Sequence, residues 1–363
     1  MVFLDYASTS PVVKYPQRLY RDILGEGYFF NPNANYAYKE KRLLSEAENR
    51  VKKAIGAKGG KVIFGGTSSQ LIENLMNAVG NIFVQRMVLG SYVEHDSFNR
   101  YIGHKCTDLE SLDEWLSYYN DVQAFVLWQA VQNITGEIFP QKEIGELVRQ
   151  YRGFYICDGT AQIGHTPIEP NIDDWCDFYV FSGHKIGTEL GIGCCWISDR
   201  LDKWLNGFKL HGTPNLAGAL ALTQAAEDAC DNRKLGQNMI HYNELQDFMI
   251  GYLVDKNIDF QLAPEYDEQP AGHAFTSAIN AIHLPGFNAD ALQQYLASKQ
   301  IYVSIGGSAC AEKHDYRVLN DAYGLSNDEA SEVIRVSFGE DSSIEGVEAL
   351  VEGIKNFKEL YVK

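Results

Sequence analysis

At 363 residues the chain can bury a sizeable core, and it exceeds the usual length of a single domain. A hydrophobic fraction of 45% with mixed charge argues for a globular protein and against disorder. The net charge of −17 argues against nonspecific binding to nucleic acid or to an anionic membrane.

In chain order, the opening Met1-Val2-Phe3-Leu4-Asp5 lacks the charged n-region and apolar core of a signal peptide. No later apolar stretch reaches transmembrane length, so a cytoplasmic location is expected. Leu44, Ala47, Val51, Ala54 and Ile55 recur at helical spacing, and Gly56 stops that helix. Lys61-Val62-Ile63-Phe64 predicts a strand running into the turn Gly65-Gly66-Thr67-Ser68-Ser69. Apolar runs at 87–89, 124–128, 154–157, 178–181 and 194–197 alternate with amphipathic or irregular segments. That alternation predicts a mainly parallel α/β sheet covered on both faces. After about residue 245 the texture changes. Strands at 278–283 and 333–337, with a helix containing Leu292, Tyr295 and Leu296, predict a smaller α+β domain.

Candidate chemistry gathers at strand ends. Lys185 closes Ser182-Gly183-His184-Lys185, directly after Phe178-Tyr179-Val180-Phe181. A lysine there is placed to form a Schiff base with an aldehyde cofactor, whose phosphate Ser182 and His184 can hold. A solvated lysine in a turn capped by Gly183 is the plainer alternative. Asp158 ends another run, Phe154-Tyr155-Ile156-Cys157. An acid that keeps a pyridine nitrogen protonated, followed by a lysine that carries the aldehyde, is what pyridoxal 5'-phosphate chemistry requires. Strand ends are also where open α/β sheets bind ligands.

The remaining candidates each have two readings. Gly66 and Thr67 stand where a helix start would offer free N–H groups to a phosphate, although taken alone a plain turn is the better reading of them. His95 follows Glu94 and, taken alone, is a surface or satisfied core histidine. Arg335 interrupts an apolar strand, where an unpaired arginine is costly. Bidentate recognition of an amino-acid α-carboxylate answers that cost, and a salt bridge on the strand face is the alternative. Seven cysteines are scattered without a CxxC pair, which predicts reduced thiols and neither a disulfide framework nor a metal site. Cys310 differs from the other six. It follows Ile305-Gly306-Gly307-Ser308-Ala309, a small-residue loop able to carry a thiolate nucleophile.

Read together, these motifs resemble the class V aminotransferase family, and within it the cysteine desulfurases. Phe3-Leu4-Asp5-Tyr6-Ala7-Ser8-Thr9-Ser10-Pro11 is similar to the family's LDxAATTP opening. Asn31-Pro32, Val93-Glu94-His95, Asp158, the SGHK tetrapeptide, Gly212-Thr213-Pro214-Asn215 and Ile334-Arg335-Val336-Ser337 follow in family order. Gly307-Ser308-Ala309-Cys310 matches the GSAC segment of the desulfurase nucleophile. The likeness runs from about residue 3 to residue 350.

The resemblance implies a type I pyridoxal-phosphate fold. A large domain would span 14–245, with 1–13 packing on 246–363 as the small domain. It implies a homodimer in which Thr213 reaches the partner's cofactor phosphate, and a His95 ring stacked on the cofactor. Asn133 would contact the cofactor oxygen or the substrate carboxylate. The implied reaction takes sulfur from L-cysteine, leaves alanine, and loads a persulfide on Cys310. An acceptor protein would then receive that sulfur for iron–sulfur cluster or thio-cofactor assembly.

Departures from the family pattern are equally specific. Two residues are missing before the glycine turn, and Ser68 stands where an acid is usual. Ile134 replaces an acid, and Leu210 replaces an arginine. In Asp158-Gly159-Thr160-Ala161-Gln162 the glutamine that would hydrogen-bond the cofactor's phenolic oxygen falls one position late. A small bulge would restore Gln162; otherwise Ala161 fills the slot. These departures keep open another family aminotransferase or lyase acting on a different amino acid. An idle homologue kept as a binding subunit conflicts with the joint presence of Asp158, Lys185, Arg335 and Cys310.

Overall fold

The apolar runs all become strands. The computed structural model describes residues 1–11, 18, 19, 21, 22, 25, 31–82, 85–262, 274–307 and 315–362. The chain divides into two compact units. The larger holds Pro11–Val131 and Pro140–Leu235; the smaller holds Met1–Ser10, Gln132–Phe139 and Gly236–Lys363.

In the larger unit, β1 (Lys61–Gly65), β2 (Arg86–Ser91), β3 (His104–Cys106), β4 (Gln123–Gln129), β5 (Phe154–Asp158), β6 (Phe178–Ser182) and β7 (Gly193–Ile197) form one sheet. Its spatial order is β1-β7-β6-β5-β4-β2-β3. The pairs from β6 through β3 are parallel, and β7 runs antiparallel to both β6 and β1. Every residue of β5, β6 and β7 is buried. That burial explains why their sequences run apolar without alternating: both faces are covered. The helix Ser68–Ile82 shows the complementary pattern. Its Leu71, Ile72, Leu75, Met76 and Val79 recur on one face and join Phe125, Ile156, Phe178 and Val180 in the core.

In the smaller unit, β8 (Gln261–Leu262), β9 (Ile279–His283), β10 (Ser304–Ile305) and β11 (Val333–Ser337) form an antiparallel sheet ordered β8-β9-β11-β10. The N-terminal strand Val2–Phe3 pairs parallel with Ile301–Tyr302, and Asp5 bridges to Ser337. The excursion Gln132–Phe139 joins this unit through Glu137–Ile138, which pairs with Ala274–Phe275. Among the described residues, no helix is long and apolar enough to cross a membrane.

Candidate functional site

Adjacent parallel strands of the larger unit end at one level. Gln129 closes β4 opposite Asp158, and Asp158 closes β5 opposite Val180. Ser182 and the 3-10 turn Gly183–Ile186, which carries Lys185, therefore follow immediately beyond Asp158. Asp158 is buried, and its Oδ1 accepts the Thr160 N–H at 2.9 Å. Oδ2 takes no hydrogen bond among the described residues. The hydroxyl of Thr160 is likewise buried without a partner.

His95 caps the short helix Asp96–Asn99. Its Nδ1 accepts the Ser97 N–H at 3.2 Å and lies 2.9 Å from Ser97 Oγ. An accepting Nδ1 carries no hydrogen, so in the neutral ring the proton sits on Nε2. Burial holds His95 below the usual imidazole range, with Asp158 opposing that fall and Lys185 adding to it. Asp158 and Lys185 thus both lie within electrostatic reach of His95. Glu94 fixes the approach to His95. It is fully buried and accepts the Gln129 N–H on both oxygens at 3.1 Å and the Ser91 hydroxyl at 2.5 Å.

Two further imidazoles surround Lys185. Burial and the Lys185 charge push His184 down to about 4. Burial pushes His165 to about 4 as well; its hydrogen bond to the Ala161 carbonyl opposes the fall, and Lys185 adds to it. Lys185 therefore stands among three rings that are neutral at neutral pH.

Ser182 meets the glycine turn. Its Oγ lies 2.8 Å from Ser68 Oγ and accepts the Ser68 N–H at 3.3 Å. Within that turn Gly66 N–H donates to Gln70 Oε1 at 3.1 Å, and Thr67 Oγ1 accepts the Gln70 N–H at 3.0 Å. Thr67 is exposed at the start of helix Ser68–Ile82. Ser68, where the family has an acid, thus serves as the hydroxyl partner of Ser182. Leu210 has a packing explanation: it lies against the core cluster that includes Leu71, over Gly65. Thr213 is exposed, in a turn whose Gly212 carbonyl accepts Asn33 Nδ2 at 3.0 Å. The Asn31-Pro32 turn and the GTPN turn are therefore neighbours.

Gln162 departs from the expected arrangement. It is fully buried, and its amide is spent inside the unit. Nε2 donates to Gln141 Oε1 at 3.0 Å and to the Pro167 carbonyl at 2.9 Å, while Oε1 accepts the Tyr179 hydroxyl at 2.9 Å. The physical reason is Gly159. A Cβ there would fall 2.0 Å from the Tyr179 ring, so that ring occupies the space under the turn and draws Gln162 inward.

In the smaller unit Arg335 is buried on β11 and is paired. Nη1 donates to the Asn133 carbonyl at 2.9 Å, and Nη2 donates to Asp5 Oδ1 at 2.8 Å and to Ser8 Oγ at 2.5 Å. Its Nε is buried and has no partner among the described residues. Asn133 is half-buried, and Ile134 beside it is buried. Cys310 lies outside the described residues. The other six cysteines are buried or half-buried. Burial raises the thiols of Cys106, Cys176, Cys194, Cys195 and Cys230, which disfavours their thiolates.

Sequence reasoning missed the contributions of His165, Tyr179 and Asp5. His165 follows a Gly164 turn, and only its shared segment with Gln162 hinted at the site. Asp5 was legible as a motif residue, but its pairing with Arg335 was not.

Comparisons with known proteins agree on one family. The family described as Aminotransferase class-V matches residues 2–350. The chain is 24% identical over 378 residues to a protein named putative cysteine desulfurase IscS 1 of Bacillus subtilis, covering 95% of each. It is 26% identical over 343 residues to one named cysteine desulfurase IscS of Dictyoglomus turgidum, covering 85% of this chain and 82% of that one. A solved NifS-like protein from Rickettsia africae shares the fold, with a TM-score of 0.82, 22% identity and 99% coverage of both chains.

Proposed function

The chain belongs to the class-V aminotransferase family, and we propose that within it the protein is a pyridoxal-phosphate-dependent L-cysteine desulfurase that collects sulfur on Cys310. The observation that carries the cofactor assignment is the pair Asp158 and Lys185, one closing a strand and the other just beyond the end of the adjacent parallel strand. The residues fit that group. Asp158 is a buried carboxylate with Oδ2 unengaged, which a ring N–H would satisfy, and the buried Thr160 hydroxyl beside it also lacks a partner.

When bound, pyridoxal phosphate supplies an aldehyde that takes up amino acids covalently and a protonated ring that withdraws electrons from them. Lys185 would carry it, and Asp158 would hold the proton on the ring nitrogen. Gly66, Thr67, Ser182 and His184 would hold the phosphate. Thr213 would do so from the second subunit of a homodimer. His95, neutral with its proton on Nε2, would lie against the ring and move a proton there. Gln162 is not part of this proposal, because its amide is committed to Gln141, Pro167 and Tyr179.

Arg335 has three of its five N–H donors engaged by Asn133, Asp5 and Ser8, and Nε–H and the second Nη1–H remain for a substrate α-carboxylate. The Cys310 thiolate would form an S–S bond to the substrate sulfur as the Cβ–S bond breaks. The electron pair stays with the substrate carbon, which is protonated and leaves as alanine. An acceptor protein then takes the terminal sulfur from Cys310.

The test is sulfide and alanine release from L-cysteine by purified protein, with Cys310→Ala as the control. Wild type is expected to release both and, given limiting cysteine without reductant, to gain one sulfur atom on the Cys310 peptide. Cys310→Ala should bind cysteine yet lose at least about a hundredfold in turnover. Undiminished release by that variant would show the nucleophile misassigned. Brisk amino transfer to a keto acid, without sulfide, would hand the function to another activity of the family.

A further inference from the structure

Asn133 sits in a turn that is held from two sides within the smaller unit. From inside, the buried Gln132 side chain accepts the N–H groups of Ile134 and, at 2.9 Å, Thr135 through a single Oε1. Gly136 N–H returns to the Gln132 carbonyl at 2.9 Å, and Gln132 N–H reaches the Glu137 carbonyl at 2.8 Å. Gly136 has φ +78°, and a Cβ there would lie 2.5 Å from the Ile279 carbonyl oxygen, so the turn is pressed against the start of β9.

From outside, Tyr323 closes it. The Tyr323 hydroxyl donates to Glu137 Oε2 at 2.5 Å and lies 3.0 Å from Thr135 Oγ1. A phenol has one proton, and here the carboxylate takes it, so Thr135 is the donor in the second bond. Burial, with the nearby Glu137 charge, raises the Tyr323 phenol well above its usual range, which keeps it a neutral donor. Tyr323 is itself a fixed post at the end of the π-helical turn Val318–Ala322. There Gly324 N–H returns to the Asn320 carbonyl, and Asn320 Nδ2 donates to the Leu325 carbonyl at 2.7 Å.

The far end of this chain of contacts is Arg335, whose Nη1 donates to the Asn133 carbonyl at 2.9 Å. We propose that Tyr323 is a positioning residue for the substrate carboxylate: through Thr135 and Glu137 it sets the Asn133 turn, and the Asn133 carbonyl in turn sets the Arg335 guanidinium. This rests on the reading of Arg335 as the carboxylate partner. A Tyr323→Phe ring fills the same space but removes the hydroxyl that bonds Glu137 Oε2 and Thr135 Oγ1, so the turn loses its tie to residue 323. The turn then relaxes, and the Arg335 fork loses its fixed acceptor.

The experiment compares two ligands of the holoenzyme by absorbance titration: L-alanine, which carries the α-carboxylate, and ethylamine, which lacks it. Tyr323→Phe should weaken L-alanine about tenfold while ethylamine changes less than about twofold. The KM for L-cysteine should rise with kcat nearly unchanged. Equal loss for both ligands, or no loss for L-alanine, overturns the proposal. If Tyr323→Phe does not fold, Thr135→Val probes the same contact from the other side and is judged by the same ratio. Arg335→Lys separates the two layers of the argument. If it leaves the preference for L-alanine over ethylamine intact, the carboxylate assignment fails. If it abolishes that preference while Tyr323→Phe does not reduce it, the assignment stands and the positioning role alone fails.

Discussion

Of the three imidazoles around Lys185, His165 bears most directly on stability. It is buried, its Nδ1–H donates to the Ala161 carbonyl at 3.1 Å, and its folded pKa is about 4. In the unfolded chain the ring titrates near the ordinary imidazole value of about 6.5. Above that value neither state holds the proton, and the folded form keeps its full stability. As pH falls from about 6.5 to about 4 the unfolded chain takes up a proton that the folded chain refuses, so stability is lost across that window. The loss from this one group is about 3 kcal/mol. His165→Asn keeps an N–H donor for the Ala161 carbonyl and removes the titration. Its stability, followed by urea midpoints from pH 7 to pH 4, should decline less steeply than wild type by about that amount. Parallel profiles would mean that His165 gains a proton in the folded state as readily as in water.

At the scale of elements, β5 and β6 are joined past their ends as well as along them. Gly159 N–H donates to the Val180 carbonyl at 2.9 Å, and the Tyr179 ring lies where a residue-159 Cβ would be. Gly159→Ala forces that ring aside, and with it the hydroxyl that holds Gln162. A cost of about 1–3 kcal/mol is expected from overpacking. Because Asp158 immediately precedes the change, pyridoxal phosphate should also bind more weakly, measured by equilibrium dialysis alongside thermal melting. Unchanged melting and affinity would show that the Tyr179 ring yields without cost. The same pair of strands shows what was legible in the sequence. Runs such as Phe178-Tyr179-Val180-Phe181 announce buried strands by composition alone, and a lysine or aspartate next to a run is located by the strand's end. Side-chain commitments are not so local. Nothing in the order Asp158 to Gln162 reveals that Tyr179, seventeen residues on, claims the Gln162 amide. Asp5 and Arg335 are separated by 330 residues, so neither periodicity nor spacing could pair them. Gln132–Phe139 falls inside the 14–245 expected for the large domain and instead groups with the smaller unit.

At the scale of the whole molecule, the GTPN turn raises the question of how many chains make one site. Thr213 is exposed, its hydroxyl has no partner among the described residues, and the preceding Gly212 is held open at φ +119°. The Asn33 amide anchors that turn through the Gly212 carbonyl, so Thr213 is presented on a fixed base and not on a free tip. A hydroxyl held outward in this way, with no partner among the described residues, supports the proposal that it serves a phosphate in a second subunit. Complementation tests this directly. If Lys185 from one chain and Thr213 from the other build a site, a heterodimer of Lys185→Ala with Thr213→Ala has one site carrying both changes and one carrying neither. Random association of equal amounts makes about half of the dimers mixed, so about a quarter of wild-type activity should return. If Thr213 acts within its own chain, both sites of the heterodimer carry one change each and nothing is gained. Desulfurase activity of the mixture after co-refolding, set against each parent alone, decides between the two. Recovery clearly above both parents supports a shared site, and a fully active monomer in sedimentation rules it out.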